Sequence, residues 1–169
     1  MKLSVYIDKI TNSIELTATG ESIPTTILPV SPEDLKDVLK KNGWKFNWKE
    51  EYKQKDTRKI VKLVADHDQS VIQGLISYIK AEGYYYLPLI ELAPFNIGKG
   101  KMYAGVAANL IAHVCKLSFE DGFQGVVSFT PKTRLIEHYS QSLGAVMISK
   151  TDMAIFTDSA QKLVTSYFK

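Results

Sequence analysis

Residues 84–117, YYYLPLIELAPFNIGKGKMYAGVAANLIAHVCKL, decide how the rest of the chain is read. An apolar segment from Tyr84 ends at Pro94-Phe95, a glycine-bearing loop follows, and Met102-Tyr103-Ala104-Gly105-Val106-Ala107 opens a long amphipathic helix. Val106, Ala107, Leu110, Ile111, Val114 and Leu117 recur at helical spacing, so one face packs inward, and Asp121-Gly122 supplies the stop. Asn109, His113 and Lys116 fall on the other side and are expected in solvent. The first N–H groups of a helix lack intrahelical acceptors and lie at the positive end of its dipole. Ala104, Gly105, Ala107 and Ala108 are small enough to let a phosphate approach those donors.

Elements alternate on both sides of this stretch. Leu3, Val5 and Ile7 share one face of a strand, Thr11-Asn12-Ser13 reads as a turn, and Ile14, Leu16 and Ala18 form the returning strand of an N-terminal β-hairpin. Ser31-Pro32-Glu33-Asp34 has a cap residue, a proline at the first helical position and early acids, so a short helix is expected as far as Asn42-Gly43, with Leu35, Val38 and Leu39 as its stripe. Residues 60–65 and 71–78 read as strands around Asp66-His67-Asp68, and Tyr84 to Leu92 as the next strand. Gly125 to Phe129 reads as a buried strand, Lys132 to Leu143 as a helix, and 146–148 with 153–156 as a closing hairpin. The order predicts an α/β fold, a mixed central β-sheet flanked by α-helices. With no internal repeat or linker, residues 1–169 are expected to form one domain.

Composition narrows the function classes. A hydrophobic fraction of 45% and a charged fraction of 23% are those of a globular protein. No apolar run approaches the ~20 residues that span a bilayer, and the first residues lack the core of a signal peptide, so a cytoplasmic protein without membrane partners is expected. Cys115 stands alone, which excludes an internal disulfide and a cysteine-based metal site; it reads as a small buried hydrophobe, and no metal is expected. Lysines cluster between Lys45 and Lys62, but Glu50, Glu51 and Asp56 interrupt them, so a solvated surface is expected there and a nucleic-acid partner is not. Trp44, Phe46, Trp48 and Tyr52 read as core or as pocket walls.

The strand ending in Pro94, the loop feeding a helix through Gly105-Val106-Ala107, the buried strand after it, and the helix carrying Tyr139 before Leu143-Gly144 resemble the GNAT superfamily of acyl-CoA-dependent N-acetyltransferases. The resemblance implies an acyl-CoA-binding core over 59–157 and a variable, acceptor-facing region over 1–58. It implies acetyl-CoA as cosubstrate and direct attack on its thioester by an amine in a ternary complex. The acceptor is open among a small molecule, a peptide N-terminus, a protein lysine and a charged tRNA, and the protein is expected as a monomer or homodimer. In the family, Arg/Gln-x-x-Gly-x-Gly/Ala opens the helix and its amides hold the pyrophosphate. Gly105 and Ala107 match the small positions, Met102 stands at the Arg/Gln position, and the loop between Pro94 and Met102 is longer than usual. Lys99 and Lys101 either meet coenzyme phosphates or belong to a surface loop.

The coenzyme-binding residues implied are Leu92, Ala93, Met102, Tyr103, Ala104, Gly105, Val106, Ala107 and Thr133. Asn96 and Tyr103 read equally as loop-structuring residues. The family's acid is a tyrosine on the helix after the buried strand; Tyr139 stands one residue farther from Gly144 than the usual spacing, and Ser140 occupies the ungapped position. A tyrosine suits protonation of a leaving thiolate because its hydroxyl is protonated at neutral pH. Glu91, the charged residue within an apolar strand, is the expected base, its alternative being a solvent-facing position. A second reading of the whole chain is a non-catalytic acyl-CoA-binding or protein-interaction module on the same fold.

Overall fold

The computed structural model describes residues 13–167; the first strand expected of the N-terminal hairpin, Leu3 to Ile7, lies outside them. The returning strand is β1 (Ser13–Leu16), followed by β2 (Ser22–Pro29), α1 (Trp48–Tyr52), β3 (Lys59–Ala65), β4 (Asp68–Lys80), β5 (Tyr85–Leu87), β6 (Ile90–Leu92) and β7 (Tyr103–Ala104). Then come α2 (Val106–Glu120), β8 (Val127–Phe129), α3 (Ile136–Leu143), β9 (Val146–Met147), β10 (Met153–Ile155) and α4 (Thr157–Tyr167). The strands form one mixed sheet in the order β7-β1-β2-β3-β4-β5-β8-β10-β9, with β6 also on β4. Among the described pairings only β5 with β8 is parallel.

Period-two alternation splits the interior into two cores, one on each face of the sheet. Val61, Leu63 and Ile76 join α2 and α4 in the larger cluster, with Leu110, Ile111, Val114 and Leu163. Their strand neighbours Ile60 and Leu75 turn the other way, onto Leu35, Val38, Trp44 and Trp48. Full burial of such aliphatic side chains is worth about 1.5–3 kcal/mol each, which makes the register of β3 and β4 hard to slip. Cys115 is fully buried, as its place in the apolar pattern implies, and burial pushes its thiol well above the ordinary range.

Several local readings differ from the sequence expectation. The helix expected after Ser31 is two 3-10 turns, Glu33–Leu35 and Lys40–Asn42. Ser31 and Asp34 bond reciprocally through backbone N–H and side chain, and the Asp34 carboxylate is drawn to Lys62 Nζ at 2.7 Å, so short turns suffice to bury Leu35 and Val38. Helix α2 starts at Val106 rather than Met102, because Tyr103 and Ala104 pair with Leu16 and Glu15 of β1. Asn109 is buried rather than solvent-facing: its Nδ2 donates to the Ser13 carbonyl at 3.0 Å and to Thr25 Oγ1 at 3.4 Å, tying α2 to β1 and β2. His113 is half-buried with its ring edge-on to Tyr78, while Lys116 is exposed as expected.

The strand expected from Tyr84 to Leu92 is divided, and this division positions the site. Pro88 has no N–H for a ladder. Next to it, Leu89 N–H donates to Ser77 Oγ at 3.1 Å and the Leu89 carbonyl accepts Ser77 N–H at 2.9 Å. Upstream of this break β5 pairs with both β4 and β8; downstream β6 pairs with β4 alone. The last rung between β5 and β8 is Leu87 with Phe129, and beyond it the two sides of the sheet separate. Gly74, opposite Leu92, lets α2 lie against the backbone of β4, since a Cβ there would stand 2.8 Å from Val106 Cγ1.

Candidate active site

Where the strands separate there is a cavity of about 410 Å³, with β6 on one side and Phe129 to Lys132 on the other. A second cavity of about 350 Å³ lies between the start of α2 and α3. Leu92, Ala107, His138 and Tyr139 line both. The two therefore meet along one strip, bounded by the unpaired edge of β6 and the inner face of α3.

The α2 cavity is built from backbone. Gly105 caps the helix in the left-handed region, with φ of 89°, where a non-glycine residue is strained. A Cβ there would lie 3.0 Å from Tyr167 Oη. The first N–H to bond back is that of Asn109, to the Gly105 carbonyl at 3.0 Å, so the N–H groups of Val106, Ala107 and Ala108 have no intrahelical acceptor. Lys101 lines the same cavity and adds a cation to these donors. Such a set suits a di-anion such as a pyrophosphate.

The long loop before α2 is tied down by Asn96, which is fully buried. Its Nδ2 donates to the carbonyl and to Oε1 of Gln73, both at 3.0 Å, and its Oδ1 accepts Tyr103 N–H at 3.1 Å. Asn96 thus structures the loop, and the Met102 N–H closes it onto the Phe95 carbonyl at 2.8 Å. The closed loop turns Lys101 into the α2 cavity and Ile97 into the larger one.

Of the coenzyme-binding residues expected from sequence, Leu92, Tyr103, Ala104, Gly105, Val106 and Ala107 line the α2 cavity. Three do not. Ala93 is buried in the smaller core with its N–H on the Gln73 carbonyl; Met102 lines a different hollow with His67 and Phe95; Thr133 is exposed and lines neither cavity. Met102 is held away because its carbonyl accepts the Thr17 N–H at 3.0 Å, while the Thr17 hydroxyl donates to the Lys101 carbonyl at 2.5 Å with the Met102 carbonyl 3.0 Å away. The Thr130 hydroxyl donates to Asp152 at 2.5 Å and meets Tyr86 Oη at 2.8 Å.

Tyr139, not Ser140, faces the cavities. Its ring stands edge-on to Phe129, centroids 5.3 Å apart, and burial holds its phenol above the ordinary value. Glu91 lines the larger cavity and is buried rather than solvent-facing. Its Oε1 accepts Trp48 Nε1–H at 2.8 Å and Phe46 N–H at 3.2 Å, and its Oε2 accepts Lys45 N–H at 2.6 Å. The carboxylate thereby anchors the 45–48 segment as a cavity wall. Sequence reasoning left Phe46 open between core and wall, and it missed Lys132 and Arg134, which also line this cavity, because nothing local links them to a strand 40 residues away. Among the described residues no cluster of three or more His, Cys, Asp or Glu could hold a metal, and no helix is long and apolar enough to cross a membrane.

No protein-family model matches the sequence, and neither does any curated protein. Solved structures do resemble the fold. The spermidine N-acetyltransferase of Vibrio cholerae, in complex with CoA and spermine, superposes with a TM-score of 0.56 at 15% identity, over 81% of this chain and 98% of that one. AtaTR bound to AcCoA gives 0.57 at 14% identity, over 83% of this chain and 98% of that one. A GNAT-family protein from Desulfovibrio desulfuricans gives 0.54 at 16% identity, over 78% and 95%. The chain has the fold of the GNAT acetyltransferases.

Proposed function

We propose that this chain is an N-acetyltransferase that moves an acetyl group from acetyl-CoA to a primary amine within a ternary complex. The observation that carries the reading is the single strip, Leu92, Ala107, His138 and Tyr139, shared by a phosphate-suited cavity at α2 and a larger cavity where the sheet separates. A long ligand with a di-anionic middle and a reactive end fits that arrangement. Similarity to structures that hold CoA with spermine and AcCoA supports it.

The N–H groups of Val106, Ala107 and Ala108, with Lys101, would hold the pyrophosphate, and the outer edge of β6 would hold the amide-bearing arm. When bound, acetyl-CoA supplies a thioester carbonyl whose C–S bond breaks as the C–N bond to the amine forms. Tyr139 keeps a proton available for the departing sulfur, which its burial favours. Glu91 Oε2 engages one N–H donor where Oε1 engages two, so it is the oxygen with room to take the amine's proton. The reading is tested by thiol release from acetyl-CoA in the presence of an amine set. Amine-dependent release that collapses in Tyr139→Phe is expected, and amine-independent or absent release overturns it.

A further inference from the structure

We propose that the acceptor carries an acidic group, a carboxylate or a phosphate, a few bonds from the amine that is acetylated. This rests on the acetyltransfer reading of the same cavity and concerns the side of it away from the donors at the start of α2.

Lys45, Lys132 and Arg134 line the larger cavity and are absent from the α2 cavity, so they stand apart from the donors suited to the pyrophosphate. Lys132 Nζ lies 5.9 Å from the centre of the Phe46 ring, which places it on the wall built by the 45–48 segment, next to Lys45. None of the three has a carboxylate partner among the described residues, whereas Arg58 and Lys62 do, on Glu51 and Asp34. Like charges gathered at a concave site raise the local concentration of an anion and repel a cation. The opposite charge is scarce. Glu91 is the one acid among the lining residues, and three N–H groups already bind it.

These facts divide an acceptor into two ends. The end that reacts meets Glu91, whose remaining capacity serves one ammonium group. A second ammonium on the same molecule finds no carboxylate and three cations. An acidic second end finds all three, and Arg134 offers a fork that suits either a carboxylate or a phosphate. The amine is thus of the amino-acid or aminoalkyl-phosphate type, not a polyamine.

The test uses four amines of similar length that differ at the far end: 4-aminobutyrate, 3-aminopropyl phosphate, butylamine and 1,4-diaminobutane. Relative kcat/KM for thiol release is measured for the intact chain and for Lys132→Glu with Arg134→Glu, and binding of each amine is measured by calorimetry with and without acetyl-CoA. The expected result is a preference of at least about 10-fold for one or both acid-ended amines over butylamine, with diaminobutane lowest and the order inverted in the double variant. Comparing the first two amines tells a carboxylate from a phosphate. A diamine turned over or bound as well as the acid-ended amines overturns the proposal, as does an order that the double variant leaves unchanged. Acid-ended amines that bind in the expected order without turnover overturn the acetyltransfer reading, and with it the acceptor role, while the cavity's preference for an acidic end stands. Both substituted side chains are exposed, so the variant's melting temperature should match that of the parent.

Discussion

Tyr139 stands edge-on to Phe129, with ring centroids 5.3 Å apart and an interplanar angle of 79°. Phe129 ends β8 on its last rung with β5, where the two sides of the sheet separate, so this contact fixes the acid candidate relative to the divided strand. Aromatic pairs of this geometry contribute about 0.5–1.5 kcal/mol beyond burial.

Removing the hydroxyl alone leaves that contact intact. Tyr139→Phe is expected to lower kcat for acetyl transfer by about 10- to 1,000-fold with little change in melting temperature. Because burial raises the phenol's pKa, the parent should show no loss of rate from Tyr139 ionisation until the pH passes the ordinary tyrosine value near 10. A variant with the parent's rate returns Tyr139 to a packing role.

Glu91 anchors the 45–48 wall and is the proposed base, and one substitution pair tests the two roles. Glu91→Gln keeps one acceptor oxygen for the Trp48 and Phe46 N–H groups, removes the proposed base and leaves the Lys45 N–H against an amide NH2; Glu91→Ala removes every acceptor. The first is expected to slow transfer by about 10-fold or more, and the second to lose more stability than the first on chemical unfolding, about 1–3 kcal/mol, because three N–H donors rather than one lose their acceptor. Equal rates in parent and Gln variant would leave Glu91 as a wall anchor alone.

Gly105→Ala forces a Cβ into the left-handed region and to 3.0 Å from Tyr167 Oη. A destabilisation of about 1–2 kcal/mol is expected from the backbone term, measured by urea unfolding. Weaker binding of acetyl-CoA should accompany it, since the shift falls on the cap of α2.

His113 supplies a pH signature of the fold. Burial, with Lys116 adding to it, pushes its imidazole from the ordinary 6.5 down to about 4. The folded protein therefore binds this proton less readily than the unfolded chain. The contribution is intact above pH 6.5 and is lost as pH falls toward 4, by up to about 3 kcal/mol, with no further loss from this group below. His113→Phe should flatten unfolding free energy across that window, which urea titrations at pH 4.5 and 7 will detect.

Much of this was legible from local patterns. The α2 stripe, the alternation in β3 and β4, the buried β8 and the closing hairpin follow from apolar periodicity, and the N–H cradle follows from Gly105-Val106-Ala107. The C-terminal helix α4 was not read at all, although Ala160, Leu163, Val164 and Tyr167 recur at helical spacing and pack on the larger core. What periodicity does not carry is contact between distant segments. Asn109 looks polar and outward until Ser13 and Thr25 claim its amide; Met102 sits at a signature position until Thr17 turns it aside. The same holds for Glu91, whose three donors come from a segment more than 40 residues earlier.

The central claim is that the strip between the two cavities binds acetyl-CoA, and calorimetric titration of the intact chain with acetyl-CoA measures it. The account predicts saturable one-to-one heat and a matching rise in stability, about 2.7 kcal/mol at 100 times Kd, with Gly105→Ala weaker on both counts. Absence of heat and of any stabilisation at millimolar acetyl-CoA would contradict it.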